Sequence, residues 1–256
     1  MSMIALDRLT RRFGDVTAVD GVSLSIPRGQ IFGYLGPNGA GKTTTVKMLT
    51  GMIRPSAGTA SVAGFDVREE PLEVKRRIGF VPESGAIYQS LSPREYLSFV
   101  ARLYGMEEAS STRRMTEIGR FLGLSEDMDR RMTEFSRGMR QKVVVAGALI
   151  HNPDVLILDE PLSGLDANAA LLFKELIRHL KDEGKTVFYC SHILEVVETL
   201  CDRVAILDKG RVVAEGSVDE LKEMTDRSSL EGVFSKLTHA EDLSELAKAF
   251  SQRMAD

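Results

Sequence analysis

Two groups of residues in this 256-residue chain have the types and spacing to do chemistry on phosphate. The first is Gly36, Pro37, Asn38, Gly39, Ala40, Gly41, Lys42, Thr43 and Thr44, a complete G-x-x-x-x-G-K-[ST] stretch. Its glycines remove the Cβ atoms that would keep successive backbone N–H groups from converging on one anion. Lys42 adds a compact ammonium for the β- and γ-phosphates of a nucleotide. Thr43 adds a hydroxyl for Mg²⁺, an ion that keeps several of its waters and takes few protein ligands. The second group is Asp159-Glu160, two adjacent acids that end the apolar run Val155-Leu156-Ile157-Leu158. There Asp159 would hold Mg²⁺ through its water shell, and Glu160 would accept a proton from an attacking water. Each group alone has a plainer reading: a glycine-rich turn with a surface lysine, or two loop acids capping the next helix. Their presence together, with Ser163-Gly164-Leu165-Asp166 close behind, favours the chemistry.

The elements that must position these residues are written around them. Ile31 to Leu35 reads as an apolar strand that delivers the chain into the glycine-rich loop, and a helix from about Gly41 points its positive end at the same anion. Val155 to Leu158 suits a strand buried on both faces, and ligands bind beyond the carboxyl ends of such strands. Strands and helices alternate from Ile31 onward, the pattern of a parallel sheet covered by helices; short strand candidates near Ile4 to Leu9 and Val22 to Ile26 precede it. A mainly helical insert interrupts the alternation between Glu83 and Phe135. Ser92 and Glu95 form a capping box there with Pro93 at the first helical position, and Leu91 and Tyr96 fall at the hydrophobic-staple positions. A second helix is expected over roughly Thr112 to Leu122. After Asp166 a helix to about Lys181 places Leu172, Leu176 and Leu180 on one face, and Thr186 to Cys190 returns as a strand. Val204 to Leu207 and Arg211 to Ala214 read as a hairpin around Lys209-Gly210, and Ser217 with Glu220 caps the start of a helical tail.

Composition sets outer bounds. With 43% hydrophobic residues the chain can bury one sizeable core and a smaller lobe. A formal net charge of −4 offers no basic field for nucleic acid. Cys190 and Cys201 stand outside any C-x-x-C spacing and read as reduced, small apolar residues. The longest apolar or glycine run, Val143 to Ile150, is far short of the ~20 residues of a membrane-spanning helix. Met1 to Thr10 lacks a signal peptide's basic-then-apolar order. The expectation is a cytoplasmic chain that does not itself cross a membrane.

Ser136-Arg137-Gly138-Met139, followed by Leu156-Ile157-Leu158-Asp159-Glu160, resembles the signature and Walker B elements of an ATP-binding cassette. In the order and spacing of its motifs, up to about Ser217, the chain is similar to the ATP-binding subunit of an ABC transporter. That resemblance implies an α/β fold: a P-loop NTPase (RecA-like) core with a mainly parallel sheet, an N-terminal antiparallel β subdomain and an inserted helical subdomain. Residues 1–216 would form the ATPase domain, with the insert at about 84–150, and 217–256 a C-terminal helical extension. It implies ATP and Mg²⁺ as ligands. Phe13, just before Gly14, occupies the place of the aromatic that stacks on adenine, although an aromatic on a short strand also suits a core. Glu83 in Gly79-Phe80-Val81-Pro82-Glu83 stands at the Q-loop position, where the family usually has glutamine, and could contact Mg²⁺ or a water. His192 falls at the switch histidine that hydrogen-bonds the γ-phosphate and orients water; His151, His179 and His239 match no such position.

The signature departs from the commoner L-S-G-G-Q at Phe135, Arg137 and Met139. Ser136 and Gly138 are kept, and in the family these approach the γ-phosphate from the opposite subunit of a head-to-tail homodimer, with Asp166 crossing between chains. Ser136 also reads simply as a helix N-cap. The variant signature, Arg140-Gln141-Lys142 and the run Ser229 to Phe234 resemble the bacterial ABC-2 type exporter branch. The implied partner is a separate transmembrane permease holding this chain on the inner face of the membrane, its coupling helix seated over Glu83 to Leu91. The transported substrate would never touch this subunit. Two other classes stay open at this point: a soluble ABC ATPase acting on nucleic acid or ribosomes, and a non-catalytic nucleotide-binding regulator. With 52 residues between Glu83 and Ser136, the insert is too short for the long coiled coil usual in the former.

Overall fold

The structure, a computed structural model, describes residues 2–83 and 87–238. Its first strands, β1 (Ser2–Phe13) and β2 (Val16–Pro27), form a long antiparallel hairpin in which Phe13 faces Val16 across the turn at Gly14-Asp15. Both exceed the short strands read from Ile4 to Leu9 and Val22 to Ile26. Their outer halves carry Arg11, Arg12 and Thr17, so backbone pairing extends beyond the apolar alternation that marks a strand in sequence. Next, β3 (Ile31–Leu35) enters the glycine-rich loop and α1 (Lys42–Leu49) leaves it. Strands β4 (Ala57–Val62) and β5 (Phe65–Asp66) return to the first layer, giving a four-stranded antiparallel sheet in the order β2-β1-β4-β5. These two strands, and helix α2 (Pro71–Arg77) with its single buried side chain Val74, carry almost no periodic apolar signal.

Strand β6 (Ile78–Val81) precedes the helical insert, which comprises α3 (Pro93–Leu103), α4 (Glu108–Phe121) and α5 (Arg137–Leu149). Helix α3 begins as expected. Ser92 Oγ accepts from the Glu95 N–H at 3.2 Å, and the Ser92 N–H donates to Glu95 Oε2 at 2.8 Å. Helix α4 begins at Glu108 rather than Thr112, because its first turn holds no large apolar residue to announce it. Strand β7 (Val155–Asp159), helix α6 (Ala167–Asp182), strand β8 (Thr186–Ser191) and helix α7 (Leu194–Leu200) follow. The antiparallel pair β9 (Arg203–Asp208) and β10 (Arg211–Gly216) realises the hairpin, and α8 (Val218–Thr225) and α9 (Leu230–Thr238) complete the described chain.

The second sheet runs β10-β9-β3-β8-β7-β6, parallel except for β10. Its central strands are apolar on both faces because both faces are covered. Ile31, Leu35, Leu156, Leu158, Val187 and Tyr189 join the core shared with the helical insert and α6. Phe32, Tyr34, Val155, Ile157, Phe188 and Cys190 join the core beneath the antiparallel sheet and α1. The sheet is therefore packed between two cores that cover both of its faces.

One glycine sets how closely the insert approaches. A Cβ at Gly79 would lie 2.3 Å from the Ala148 carbonyl oxygen and 2.9 Å from Leu156 Cδ2, so β6 and α5 meet backbone to backbone there. Gly79→Ala should lower the unfolding free energy by about 1–3 kcal/mol through overpacking. The check is a lower denaturant midpoint at unchanged m; an unshifted midpoint would show that this contact relaxes freely.

Candidate active site

The glycine-rich loop turns at the end of β3 because no side chain fits at its critical positions. A Cβ at Gly36 would approach the Leu207 carbonyl oxygen to 2.7 Å, and one at Gly41 would approach that of Ala18 to 2.3 Å. Gly39 and Gly41 also have left-handed φ angles of 81° and 107°. Gly41 caps α1 without a side-chain acceptor, and the first turn of α1 carries no acid, so its N–H groups face an anion-ready space. Lys42 is buried, and its ammonium donates to the carbonyls of Gly36 at 2.6 Å and Pro37 at 3.2 Å. The Ala40 carbonyl accepts from the Gly210 N–H at 3.0 Å, which ties the loop to the β9–β10 turn.

Two strands away, β7 ends in Asp159, which is 2% exposed. Burial pushes its carboxyl above the ordinary aspartate range, and the neighbouring Glu83 and Glu160 carboxylates act in the same direction; the Thr43 hydroxyl and the Lys42 ammonium oppose them. Glu160 follows with φ of 49°, a left-handed conformation that costs a non-glycine residue roughly 1–3 kcal/mol. Three bonds hold it there. Its N–H donates to the Cys190 carbonyl at 3.0 Å, its Oε2 accepts from Ser191 Oγ at 3.1 Å, and its Oε1 lies 2.7 Å from His192 Nδ1. A carboxylate only accepts, so the imidazole presents its proton on Nδ1 in this contact. The His192 side chain is 65% exposed, whereas Glu160 is buried.

These groups converge on a cavity of about 450 Å³. Asn38, Gly39, Gly41, Lys42, Thr43 and Thr44 line one side, and Glu83, Asp159, Glu160 and His192 the other. Ala18 of β2 adds a wall that sequence patterns did not signal. Gly36, Pro37 and Ala40 build the loop without lining the cavity. The oxygen set of Thr43, Asp159 and Glu83 is hard and anionic, and Asp159, raised first by burial and further by the Glu83 and Glu160 carboxylates, is a desolvated acid whose charge a divalent cation would stabilise. Those residues therefore suit Mg²⁺.

Phe13, Ser136, Gly138 and Asp166 do not line this cavity. Phe13 is 47% exposed at the hairpin tip. Ser136 is the N-cap of α5, its Oγ accepting from the Met139 N–H at 3.2 Å, and Asp166 is the N-cap of α6, its Oδ1 accepting from the Ala169 N–H at 2.9 Å. That backbone bond holds the Asp166 carboxyl below its ordinary range. Signature and Asp166 segments pack on each other within the chain. Arg137 Nη2 donates to Ser163 Oγ at 2.7 Å, and a Cβ at Gly138 would meet the Gly164 carbonyl at 2.8 Å. Buried Gln141 donates to the Pro161 carbonyl at 3.1 Å. None of these links had a sequence signal, because each joins residues twenty or more positions apart.

A second cavity of about 600 Å³ adjoins the first through Thr43, Glu83 and Asp159 and opens between the sheet and the insert, against Phe80, Ile87, Tyr96 and Val144. From the expected floor Glu83 to Leu91, Glu83 and Ile87 line it, and residues 84–86 lie outside the described residues. Exposed Tyr88 meets Phe99 edge to face at 6.2 Å. His151 stacks on Tyr104 at 3.6 Å and bonds the Ile78 carbonyl, a structural role at the base of the insert; His179 sits in the last turn of α6, and His239 lies outside the described residues. No helix among the described residues is long and apolar enough to cross a membrane.

A family model described as ABC transporter matches residues 19–163. The ABC transporter ATP-binding protein NatA of Bacillus subtilis is 43% identical over 238 residues, covering 91% of this chain and 96% of that one. Nod factor export ATP-binding protein I of Ralstonia nicotianae is 40% identical over 219 residues, covering 86% of this chain and 68% of that one. A solved structure of an ATP-binding subunit of an ABC transporter superposes with a TM-score of 0.88 at 31% identity, covering 93% of this chain and 100% of that chain. With the phosphate loop, the acid pair and the inserted helices set in that same frame, the chain belongs to the ABC transporter family.

Proposed function

We propose that this chain is the Mg²⁺-dependent, ATP-hydrolysing subunit of an exporter, acting as a homodimer on the inner face of the membrane beneath a separate transmembrane permease. The observation that carries the reading is Glu160, a buried carboxylate in a strained backbone conformation, oriented by Ser191 and His192 across the cavity from Lys42. ATP enters with its β- and γ-phosphates on the loop N–H groups and the Lys42 ammonium, and Phe13 offers its ring to adenine. Thr43, and Asp159 through the ion's water shell, with Glu83 beside them, would hold Mg²⁺, which would supply charge neutralisation on the phosphate oxygens. Glu160 takes the proton of the attacking water, and His192, bonded to it, faces the γ-phosphate. Electrostatic positioning of this kind suits phosphoryl transfer, where the protein does little covalent chemistry.

Ser136, Gly138 and Asp166 are assigned to the partner copy's ATP, which accounts for their position outside the cavity of their own chain. Closing the dimer on two ATP molecules and reopening it after hydrolysis would drive the permease. Its coupling helix would sit in the second cavity, so the transported substrate never meets this chain. The names of the relatives, one of them an export protein, and the net charge of −4 favour this over a soluble ATPase acting on nucleic acid or ribosomes.

Three outcomes follow. Glu160→Gln should keep equilibrium ATP binding while phosphate release falls by about 10²–10⁴; hydrolysis near the wild-type rate would remove Glu160 from the mechanism. Asp159→Asn should raise the melting temperature without nucleotide and abolish the further rise given by MgATP. The sign follows from the raised carboxyl: such an acid contributes stability at low pH that is lost as pH climbs past its unfolded value near ~3.9, so at neutral pH its charge is a cost that asparagine removes. A lower melting temperature for that variant would contradict the argument. Tyr88→Asp should leave ATP binding intact and abolish transport in reconstituted vesicles; unchanged transport would move the docking site elsewhere.

A further inference from the structure

The tip of the β1–β2 hairpin holds a contact that phosphate chemistry does not use. Arg11 and Phe13 lie two residues apart on β1, and the Arg11 guanidinium carbon sits 4.5 Å from the centroid of the Phe13 ring. The guanidinium is anchored from elsewhere: Nη1 donates to the Arg54 carbonyl at 2.8 Å, in the segment where the Met52 and Ile53 N–H groups close back on Lys47 of α1. One side chain thus bridges the hairpin tip to the far end of the helix that starts at the phosphate loop. Arg11 Nε is buried without a partner, a desolvation cost that a merely solvated surface arginine would not carry. Phe13 remains 47% exposed, and the chain behind it returns along β2 to Ala18, a wall of the phosphate cavity.

We propose that Arg11 is the positioning residue for the nucleobase. It occupies one face of the Phe13 ring and holds that ring in place, so a base entering beside the phosphate loop stacks on the opposite face only. The inference rests on the proposed role of Phe13 as the adenine platform. A planar guanidinium suits this task better than a point-charge ammonium, since it both stacks on an aromatic face and keeps a directed donor for the Arg54 carbonyl. Pinning the ring beforehand removes an ordering cost that the nucleotide would otherwise bear.

The test compares equilibrium binding of ATP and of inorganic tripolyphosphate, which lacks a base, to the full chain and to Arg11→Ala, Arg11→Lys, Phe13→Ala and the double variant. Arg11→Ala should weaken ATP about two- to fivefold, the size of one exposed cation–π contact, and leave tripolyphosphate binding unchanged. Arg11→Lys should recover part of the loss, and the double variant should bind ATP no more weakly than Phe13→Ala, since both changes remove the same stack. Wild-type ATP affinity in Arg11→Ala alongside a loss in Phe13→Ala overturns the proposal, as does equal weakening of both ligands, which marks a purely structural arginine. Wild-type ATP affinity in Phe13→Ala overturns the platform reading itself, and this proposal with it.

Discussion

Acids buried together at the end of a parallel sheet are the constraint around which this molecule is arranged. Glu83, Asp159 and Glu160 face one cavity, and burial, with the neighbouring carboxylates adding to it, raises the Asp159 carboxyl. Left to relax, such carboxylates would separate or turn to solvent. The parallel pairing of β7 with β8 prevents that, because it brings Asp159 opposite Cys190 and sets Ser191 and His192 beside Glu160. Among the described residues one lysine or arginine, Lys42, lines the cavity against these acids, and loop carbonyls hold it in place. The site is therefore built at a stability cost, with both cores of the sheet supplying the rigidity that sustains it.

Local chemistry was the legible part of this design. The phosphate loop, the acid pair, the Ser92–Glu95 box at the start of α3 and the β9–β10 hairpin could be read because each is a contiguous pattern with a local physical cause. The first sheet was largely hidden: β4 reads Ala-Gly-Thr-Ala-Ser-Val, small residues whose strand character comes from pairing with β1 rather than from propensity. Within the site, His192 could be named only from its match to the family's switch-histidine position, and its bond to Glu160 could not be read at all, since 31 residues separate the two and only sheet register joins them. Ala18 is the extreme case. An alanine on a strand carries no signal, and it matters because its carbonyl leaves no room for a side chain at Gly41.

The departures from the commoner signature gain a physical account from the same geometry. Arg137 stands where the family more often has glycine, and its guanidinium reaches Ser163 while its stem packs against Gly164. A glycine could make neither contact. Gln141 adds a buried tie to Pro161, just after Glu160. The start of α5 and the segment from Pro161 to Asp166 are thereby linked as one body that continues directly from the acid pair.

That linkage bears on how hydrolysis could reach the membrane in the proposed dimer. If Ser136 engages the partner's γ-phosphate, its displacement on phosphate loss cannot be local: α5 carries it, and α5 meets β6 without intervening side chains at Gly79. The second cavity spans the same joint, with Val144 of α5 on one wall and Phe80 of β6 on another, and it shares Glu83 and Asp159 with the phosphate site. A strand end, a helix tied at its start to the segment after β7 and at its far end to β6, and a groove straddling the two form a short mechanical path. Small changes at the γ-phosphate would become tilts of the insert because packed cores shift between discrete arrangements rather than deform smoothly. Coupling then depends less on the identity of the transported substrate than on how closely the backbones of α5 and β6 approach, which the absence of a side chain at residue 79 controls.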